Sequence, residues 1–100
     1  MELTPRKLVT IVTEASLEKV LVRDLKALGV KGYSLLECEG EGERGVRGGD
    51  WDQNKNIMFK IVCSEDVAKN VMSFLHDKYY EDYAMISYAS DVQVHRDTKF

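Results

Sequence analysis

The sequence has few of the features that mark a secreted, membrane-spanning or nucleic-acid-binding protein. Its 100 residues include only two cysteines, Cys38 and Cys63. Each lies in an apolar, strand-like stretch, which favours reduced buried thiols over a disulfide. No apolar run approaches the roughly 20 residues that a membrane helix needs, and the N-terminus has no signal-peptide pattern. The net charge is −3, whereas general nucleic-acid binders usually have an excess of basic residues. We therefore expect one cytoplasmic domain over residues 1–100.

Patterns of catalytic and metal-binding residues are also missing from the sequence. The two histidines, His76 and His95, are far from each other and from both cysteines, so no metal-ligand spacing is present. No serine or threonine has a histidine at a spacing typical of a nucleophile and its base. The sequence therefore predicts neither a metal site nor a catalytic residue.

Most of the glycine in the chain is concentrated in one segment. Residues 40–49 contain five of the seven glycines and two arginines, Arg44 and Arg47. Glycine allows positive φ angles and lets a ligand approach main-chain amides closely. Successive amides form a concave anion site, and arginine adds a planar charged fork that suits phosphate or carboxylate. The segment is therefore predicted to be a mobile loop that becomes ordered around a small anion.

The strands are predicted from β-branched runs and from alternation of apolar residues. A buried first strand is expected over residues 7–12 and a second over residues 32–39. Alternating apolar residues over 57–63 predict a third strand with one buried face, and residues 85–89 a fourth. Residues 91–94 are compatible with a short fifth strand.

Two helices are predicted from apolar residues at helical spacing. Ser16 or Thr13 is expected to cap the first helix, and Gly29 to close it. Ser64 is expected to cap the second, where Glu65 and the next acidic residue would face the helix dipole. The inner faces are expected to consist of Leu17, Val20, Leu21, Leu25 and Leu28 in the first helix and of Val67, Val71, Leu75 and Tyr79 in the second.

The order of the elements is β-α-β-β-α-β, which predicts an α+β, ferredoxin-like sandwich. The loop over residues 40–54 would join the second and third strands. It is about three times longer than a hairpin connection of two to five residues. Its glycines and the single tryptophan, Trp51, favour a functional loop over a solvated flexible hairpin.

These residues resemble a known family. The long loop between the second and third strands is similar to that of the PII signalling superfamily. KLVTIVTE at residues 7–14, G-x-K-G-Y at 29–33, G-E-G-x-R-x-V-R at 40–47 and K-Y-x-x-D-Y at 78–83 resemble the PII-like proteins of bicarbonate uptake. That group includes the partner of the sodium-dependent bicarbonate transporter and a carboxysome-associated branch, which is the nearer of the two.

The resemblance implies a homotrimer with an adenine nucleotide (ADP, AMP or ATP) in each cleft between subunits. It also implies bicarbonate beside the nucleotide and a protein partner, either a bicarbonate transporter or a carboxysome component. The implied nucleotide contacts are Thr13, Glu14, Gly40, Glu41, Gly42, Arg44, Arg47, Ser87, Tyr88 and Ala89. The implied bicarbonate contacts are Arg44, Gly45, Val46 and Arg47. The function implied is that of a non-enzymatic sensor.

The chain departs from this family in several places. The glutamine and the G-D-G-K segment with which nitrogen-regulatory PII proteins hold ATP, magnesium and 2-oxoglutarate are missing. No tyrosine occurs between Gly40 and Asn56, so the loop tyrosine that is uridylylated in that group has no counterpart. Glu41 stands where some relatives have lysine, and an acid cannot itself attract phosphate. The paired cysteines of a C-terminal extension are not found after residue 95, so redox control by such a tail is not expected.

Alternative functions come from different classes. A nitrogen-type PII regulator would sense ATP and 2-oxoglutarate. A small ferredoxin-like enzyme such as an acylphosphatase would need an arginine-bearing glycine loop directly after the first strand, where this chain has Val-Thr-Glu-Ala at 12–15. A trimeric metal-tolerance or scaffold protein would not need the arginine-rich loop.

Overall fold

The computed structural model describes residues 2–40 and 55–95, which form a four-stranded antiparallel sheet and two helices. The elements in chain order are β1 (Thr4–Glu14), a 3₁₀ turn (Ala15–Leu17), α1 (Glu18–Ala27), β2 (Ser34–Cys38), β3 (Asn56–Cys63), α2 (Glu65–Lys78) and β4 (Met85–Val94). The strand order across the sheet is β2-β3-β1-β4, and every neighbouring pair is antiparallel. This arrangement confirms the predicted ferredoxin-like α+β fold.

The strand β4 is longer than the sequence predicted. The prediction of a separate fifth strand over residues 91–94 is wrong, because these residues continue β4 without interruption. The reason is that β1 begins at Thr4, three residues before its predicted start, and Thr4 pairs with Val94. Residues beyond Ala89 therefore still have a partner strand, and the chain gains ladder hydrogen bonds by remaining extended.

The beginning of α1 also differs from the prediction. Neither Ser16 nor Thr13 caps the helix, because the 3₁₀ turn precedes it and no side chain accepts a hydrogen bond from either N-terminus. Thr13 lies in β1, and its hydroxyl donates to the carbonyl of Ala84 at 2.8 Å. The Thr13 hydroxyl, which the local sequence predicted to cap the helix, therefore forms a tertiary hydrogen bond instead.

Two other helix ends agree with the sequence. Gly29 has a φ of 96° and follows α1 as the left-handed residue of a Schellman motif. The amide of Val30 donates to Leu25 O and that of Gly29 to Lys26 O, both at 3.1 Å. At α2, Ser64 Oγ accepts from the amide of Val67 at 3.2 Å, which confirms the predicted N-cap.

The core lies between the helices and one face of the sheet. Alternate residues of β1 and β3 are fully buried there, and α2 lies over β1 and β4. The buried apolar residues are Val9, Ile11, Leu17, Leu21, Leu25, Val30, Ile57, Phe59, Ile61, Cys63, Ala68, Val71, Leu75 and Tyr79. Val20, Leu28 and Val67 from the predicted inner faces are only partly buried, at the margin of this core.

Both cysteines are free thiols, as predicted. Cys63 is buried, and burial raises the pKa of its thiol. Cys38 is only half-buried, contrary to the expectation that both would be interior, because β2 is an edge strand with mostly exposed side chains.

Asp24 connects α1 to the end of α2. Its carboxylate accepts from Tyr79 Oη at 2.5 Å and from Lys78 Nζ at 2.7 Å. Burial acts to raise the pKa of Asp24, but the hydrogen bonds from Lys78 and Tyr79, with the charges of Lys78 and Arg23, outweigh it and hold the pKa below its ordinary value. The same site raises the pKa of Tyr79, through burial first and the Asp24 hydrogen bond second.

This connection should make stability depend on pH. Because the pKa of Asp24 is lower in the folded state, its stabilisation is complete above the unfolded value of about 3.9 and is lost as the pH falls through the folded value. We expect Asp24→Asn to lower the free energy of unfolding by about 1–2 kcal/mol at neutral pH. The difference from wild type should shrink below about pH 4. Urea unfolding of both proteins across this range tests it, and a difference that stays constant down to the acid limit would contradict the assignment.

Candidate functional site

The ends of all four strands meet at one end of the sheet. We define the loop end of the sheet by Glu14 and Cys38, where β1 and β2 end, and by Asn56 and Met85, where β3 and β4 begin. Glu14 and Cys38 are both register partners of Asn56. The predicted loop leaves the sheet here, since Gly40 follows β2 and Lys55 precedes β3.

Thr13 and Glu14, both implied nucleotide contacts, hold the same residue of the neighbouring segment. The Thr13 hydroxyl donates to Ala84 O at 2.8 Å, and the Glu14 carboxylate accepts from Ala84 N at 3.1 Å. Thr13 is fully buried. Together the two side chains fix the residue that directly precedes β4, so their observed contacts position β4.

The implied adenine-side residues lie along the outer strand β4. Tyr80 and Ser87 are joined twice, because the Ser87 amide donates to Tyr80 Oη at 2.8 Å and the two hydroxyls lie 2.5 Å apart. Tyr88 and Ala89 are exposed. Ser87, Tyr88 and Ala89 form an accessible strip on an edge strand, with Ser87 already oriented by Tyr80.

Gly40 is exposed at the other edge of the sheet, just beyond β2. A Cβ atom built on it would meet nothing within 4 Å, so packing does not explain a glycine there. The remaining loop residues of the predicted site, with Trp51, lie outside the described residues: Glu41, Gly42, Arg44, Gly45, Val46 and Arg47.

The two halves of the predicted site lie on opposite edges of the sheet. Gly40 follows β2, whereas Ser87–Ala89 belong to β4, and both β3 and β1 lie between these strands. Three strand spacings of about 4.8 Å separate the edges by about 14 Å. Within a single chain, Gly40 and Ser87–Ala89 are therefore too far apart to contact the same small anion.

The helix-free face of the sheet carries a row of apolar side chains. One row crosses all four strands in register: Leu36 pairs with Met58, which pairs with Val12, which pairs with Ile86. Leu36, Ile86 and Tyr88 are 47%, 55% and 49% exposed. Both helices lie on the opposite face, and no element of residues 2–40 and 55–95 covers this row. An apolar sheet face left open in this way is typical of an interaction surface.

Asn56 is a residue that sequence reasoning missed. It is 1% exposed at the loop end of the sheet. Among the residues that the structure describes, neither its Nδ2 nor its Oδ1 has a hydrogen-bond partner. The sequence signal was weak: asparagine is depleted in strands, and here it begins one directly after the glycine-rich loop.

No group of three or more His, Cys, Asp or Glu side chains in residues 2–40 and 55–95 could hold a metal ion. Within the same residues, neither helix combines the length and apolarity that would let it cross a membrane. His76 is exposed on α2.

Comparison with known families identifies one match that spans almost the whole chain. The model of the nitrogen regulatory protein P-II family matches residues 6–99.

Solved structures show the same architecture. A protein of Thermus thermophilus, assigned as a PII-like signalling protein, is 45% identical, with 100% of this chain and 99% of that chain covered and a TM-score of 0.84. CPII from Thiomonas intermedia, bound to ADP and bicarbonate, is 25% identical, with coverage of 99% and 97% and a TM-score of 0.84. The GlnK–ATP complex of B. subtilis is 17% identical, with coverage of 86% and 84% and a TM-score of 0.57, and shows the fold alone.

Proposed function

The chain belongs to the nitrogen regulatory protein P-II family, and on that basis we propose that it is a non-enzymatic cytoplasmic sensor of adenine nucleotides and bicarbonate. ADP or AMP, with ATP as a further ligand, would bind in clefts between the subunits of a homotrimer. The ordered loop would then control a partner in inorganic-carbon uptake, either a bicarbonate transporter or a carboxysome component.

The observation that carries this proposal is the structure of CPII with ADP and bicarbonate. The structural match to that protein covers 99% of this chain with a TM-score of 0.84. The coverage of 99% takes in the glycine- and arginine-rich segment of this chain. Arginine and glycine amides are the groups that bind phosphate and small planar anions.

The positions of the site residues support a cleft between subunits. Gly40 and Ser87–Ala89 are on opposite edges of one sheet, an arrangement that suits a site in which one edge of each copy faces the other edge of its neighbour. The apolar row of the helix-free face supplies a surface for association. In this proposal Thr13 and Glu14 lie beside the nucleotide and also hold Ala84, while Arg44 and Arg47 carry the phosphate and bicarbonate charge.

Titration calorimetry with ADP, with and without bicarbonate, tests the function. We expect ADP to bind, and bicarbonate to raise its affinity. By linkage, ADP should raise the affinity for bicarbonate by the same factor, typically about five- to 150-fold for coupled sites. AMP and ATP in parallel titrations would rank the nucleotides. The absence of binding by all three nucleotides would refute the proposal.

Two further measurements separate the alternative functions. If ATP binding depended on 2-oxoglutarate and not on bicarbonate, the protein would be a nitrogen-type PII regulator. If it hydrolysed an acyl phosphate, it would be an enzyme on the same fold. Against the latter, Thr13 and Glu14, which stand where an acylphosphatase has its arginine loop, are bonded to Ala84.

A further inference from the structure

The side chain of Asn56 is a buried carboxamide with unused hydrogen-bonding groups. It is 1% exposed, and its Nδ2 and Oδ1 lack partners throughout the described part of the chain. Buried side-chain amides in native proteins are nearly always hydrogen-bonded, and each exception requires an explanation. A ligand that supplies both an acceptor and a donor would provide that explanation.

The neighbours of Asn56 leave these groups available. Glu14 is its partner in β1 but directs its carboxylate to Ala84 N, beside β4 and therefore away from β3. Cys38, its partner in β2, carries a thiol, which is a weak donor and a weak acceptor. Lys55, which directly precedes Asn56, and Gly40 are exposed, so the buried Asn56 adjoins solvent-exposed residues at the loop end of the sheet.

We propose that the Asn56 carboxamide is the specificity-determining contact for bicarbonate, an inference that rests on the function proposed above. Bicarbonate has oxygen atoms that accept and one hydroxyl that donates. Nδ2–H would donate to an anion oxygen, and Oδ1 would accept from the bicarbonate hydroxyl. The carboxamide and the anion are both planar, so two parallel hydrogen bonds can form between them.

This pairing separates bicarbonate from acetate. Acetate is also a small planar anion of charge −1, but it has no hydroxyl and cannot donate to Oδ1. Binding acetate would leave a buried acceptor unpaired, which is the type of mismatch that proteins use to reject analogues. The wild-type protein should therefore bind bicarbonate about tenfold more tightly than acetate.

An unpaired amide that is retained for a ligand also has a recognisable effect on stability. Replacing it with an apolar side chain of similar size removes buried polar groups that have no partner, which is neutral or stabilising. Asn56→Leu should therefore not lower the melting temperature of the unliganded protein. If Asn56 were a structural hydrogen-bonding residue, the same substitution would lower it.

Thr10 provides a matched control. Like Asn56, it is 1% exposed, and its Oγ1 lacks a partner within residues 2–40 and 55–95. It lies four residues from Glu14 along β1, which is about 13 Å from the loop end of the sheet. Thr10→Val removes a comparable polar group at a distance from the proposed contact.

The experiment is calorimetric titration of bicarbonate and of acetate into the ADP-saturated full-length protein, for wild type, Asn56→Leu and Thr10→Val. Asn56→Leu should bind bicarbonate about ten- to a hundredfold more weakly and lose the preference over acetate. Its ADP affinity without bicarbonate should stay close to that of wild type, since no contact with nucleotide is proposed for it. Thr10→Val should bind both anions as the wild type does.

The outcomes distinguish this inference from the function on which it rests. A wild-type protein that binds no adenine nucleotide would refute the proposed function. If ADP and bicarbonate enhance each other in the wild type and equally in Asn56→Leu, the function holds and the Asn56 assignment is wrong. A lower melting temperature of Asn56→Leu with unchanged anion binding would show a structural role and would also overturn the inference.

Discussion

Ile86→Asp is expected to convert the protein into a folded monomer that has lost nucleotide binding. Ile86 is 55% exposed in the apolar row of the helix-free face, so an aspartate at this position is solvated in a single chain. Because aspartate is less favourable in strands than isoleucine, the substitution should lower the free energy of unfolding of the single chain by at most about 1 kcal/mol. In an assembly in which this face lies between subunits, each copy would bury an unpaired carboxylate, and each buried charge would cost several kcal/mol of desolvation free energy.

Loss of the assembly should also remove the binding site. In the proposed site Gly40 and Ser87–Ala89 contact the nucleotide from different copies, so we expect ADP affinity to fall by more than about a hundredfold, the equivalent of about 2.8 kcal/mol. Light scattering gives the mass, circular dichroism the fold and calorimetry the affinity. Asn70→Asp adds the same charge on the exposed side of α2 and should remain a trimer that binds ADP.

Two results would contradict this expectation. A wild-type protein that is monomeric across micromolar concentrations would refute the trimer. An Ile86→Asp monomer that binds ADP as tightly as wild type would show that one chain contains the whole site.

Arg47→Ala should weaken ADP binding by about ten- to a hundredfold without changing the melting temperature. A hydrogen bond to a charged group contributes about 1.5–3 kcal/mol, and arginine can form two such bonds to a phosphate or to bicarbonate. Arg44→Ala should act in the same direction. The affinities are measured by calorimetry and the melting temperatures by circular dichroism.

Arg23→Ala is the matched control for the loop arginines. Arg23 is an exposed residue of α1, and its guanidinium lies 3.7 Å from Asp24. Its replacement should leave ADP affinity unchanged. If Arg47→Ala binds ADP as the wild type does at an unchanged melting temperature, the assignment of the phosphate contacts to the loop is wrong.

The order of the elements was predictable from sequence because its signals are local. Leucine spacing in α1, alternation of buried residues in β3, the Ser64 cap and the terminating glycine Gly29 all act within a few residues. Each was confirmed. The length of β4 was not predictable, because Asp91–Val94 are polar and exposed apart from the two valines and are extended by pairing with β1.

The candidate site also has parts that the sequence identified and parts that only the structure showed. Sequence alone identified the glycine- and arginine-rich segment, since its composition is a property of consecutive residues. It could not show that Thr13 and Glu14 hold Ala84, because these hydrogen bonds join residues 71 and 70 positions apart. Nor could it identify Asn56, whose lack of partners depends on what neighbouring strands place beside it.

The sequence by itself determined the elements, their ferredoxin-like order and the chemistry expected of the loop, because periodicity, capping and residue type operate over short stretches of chain. Only the tertiary structure decided where those residues lie relative to one another. The strand order β2-β3-β1-β4 places Gly40 and Ser87–Ala89 on opposite edges and leaves an apolar row open on the helix-free face. These features arise from pairing between strands distant in sequence, and they connect the proposed binding site to association between copies of the chain.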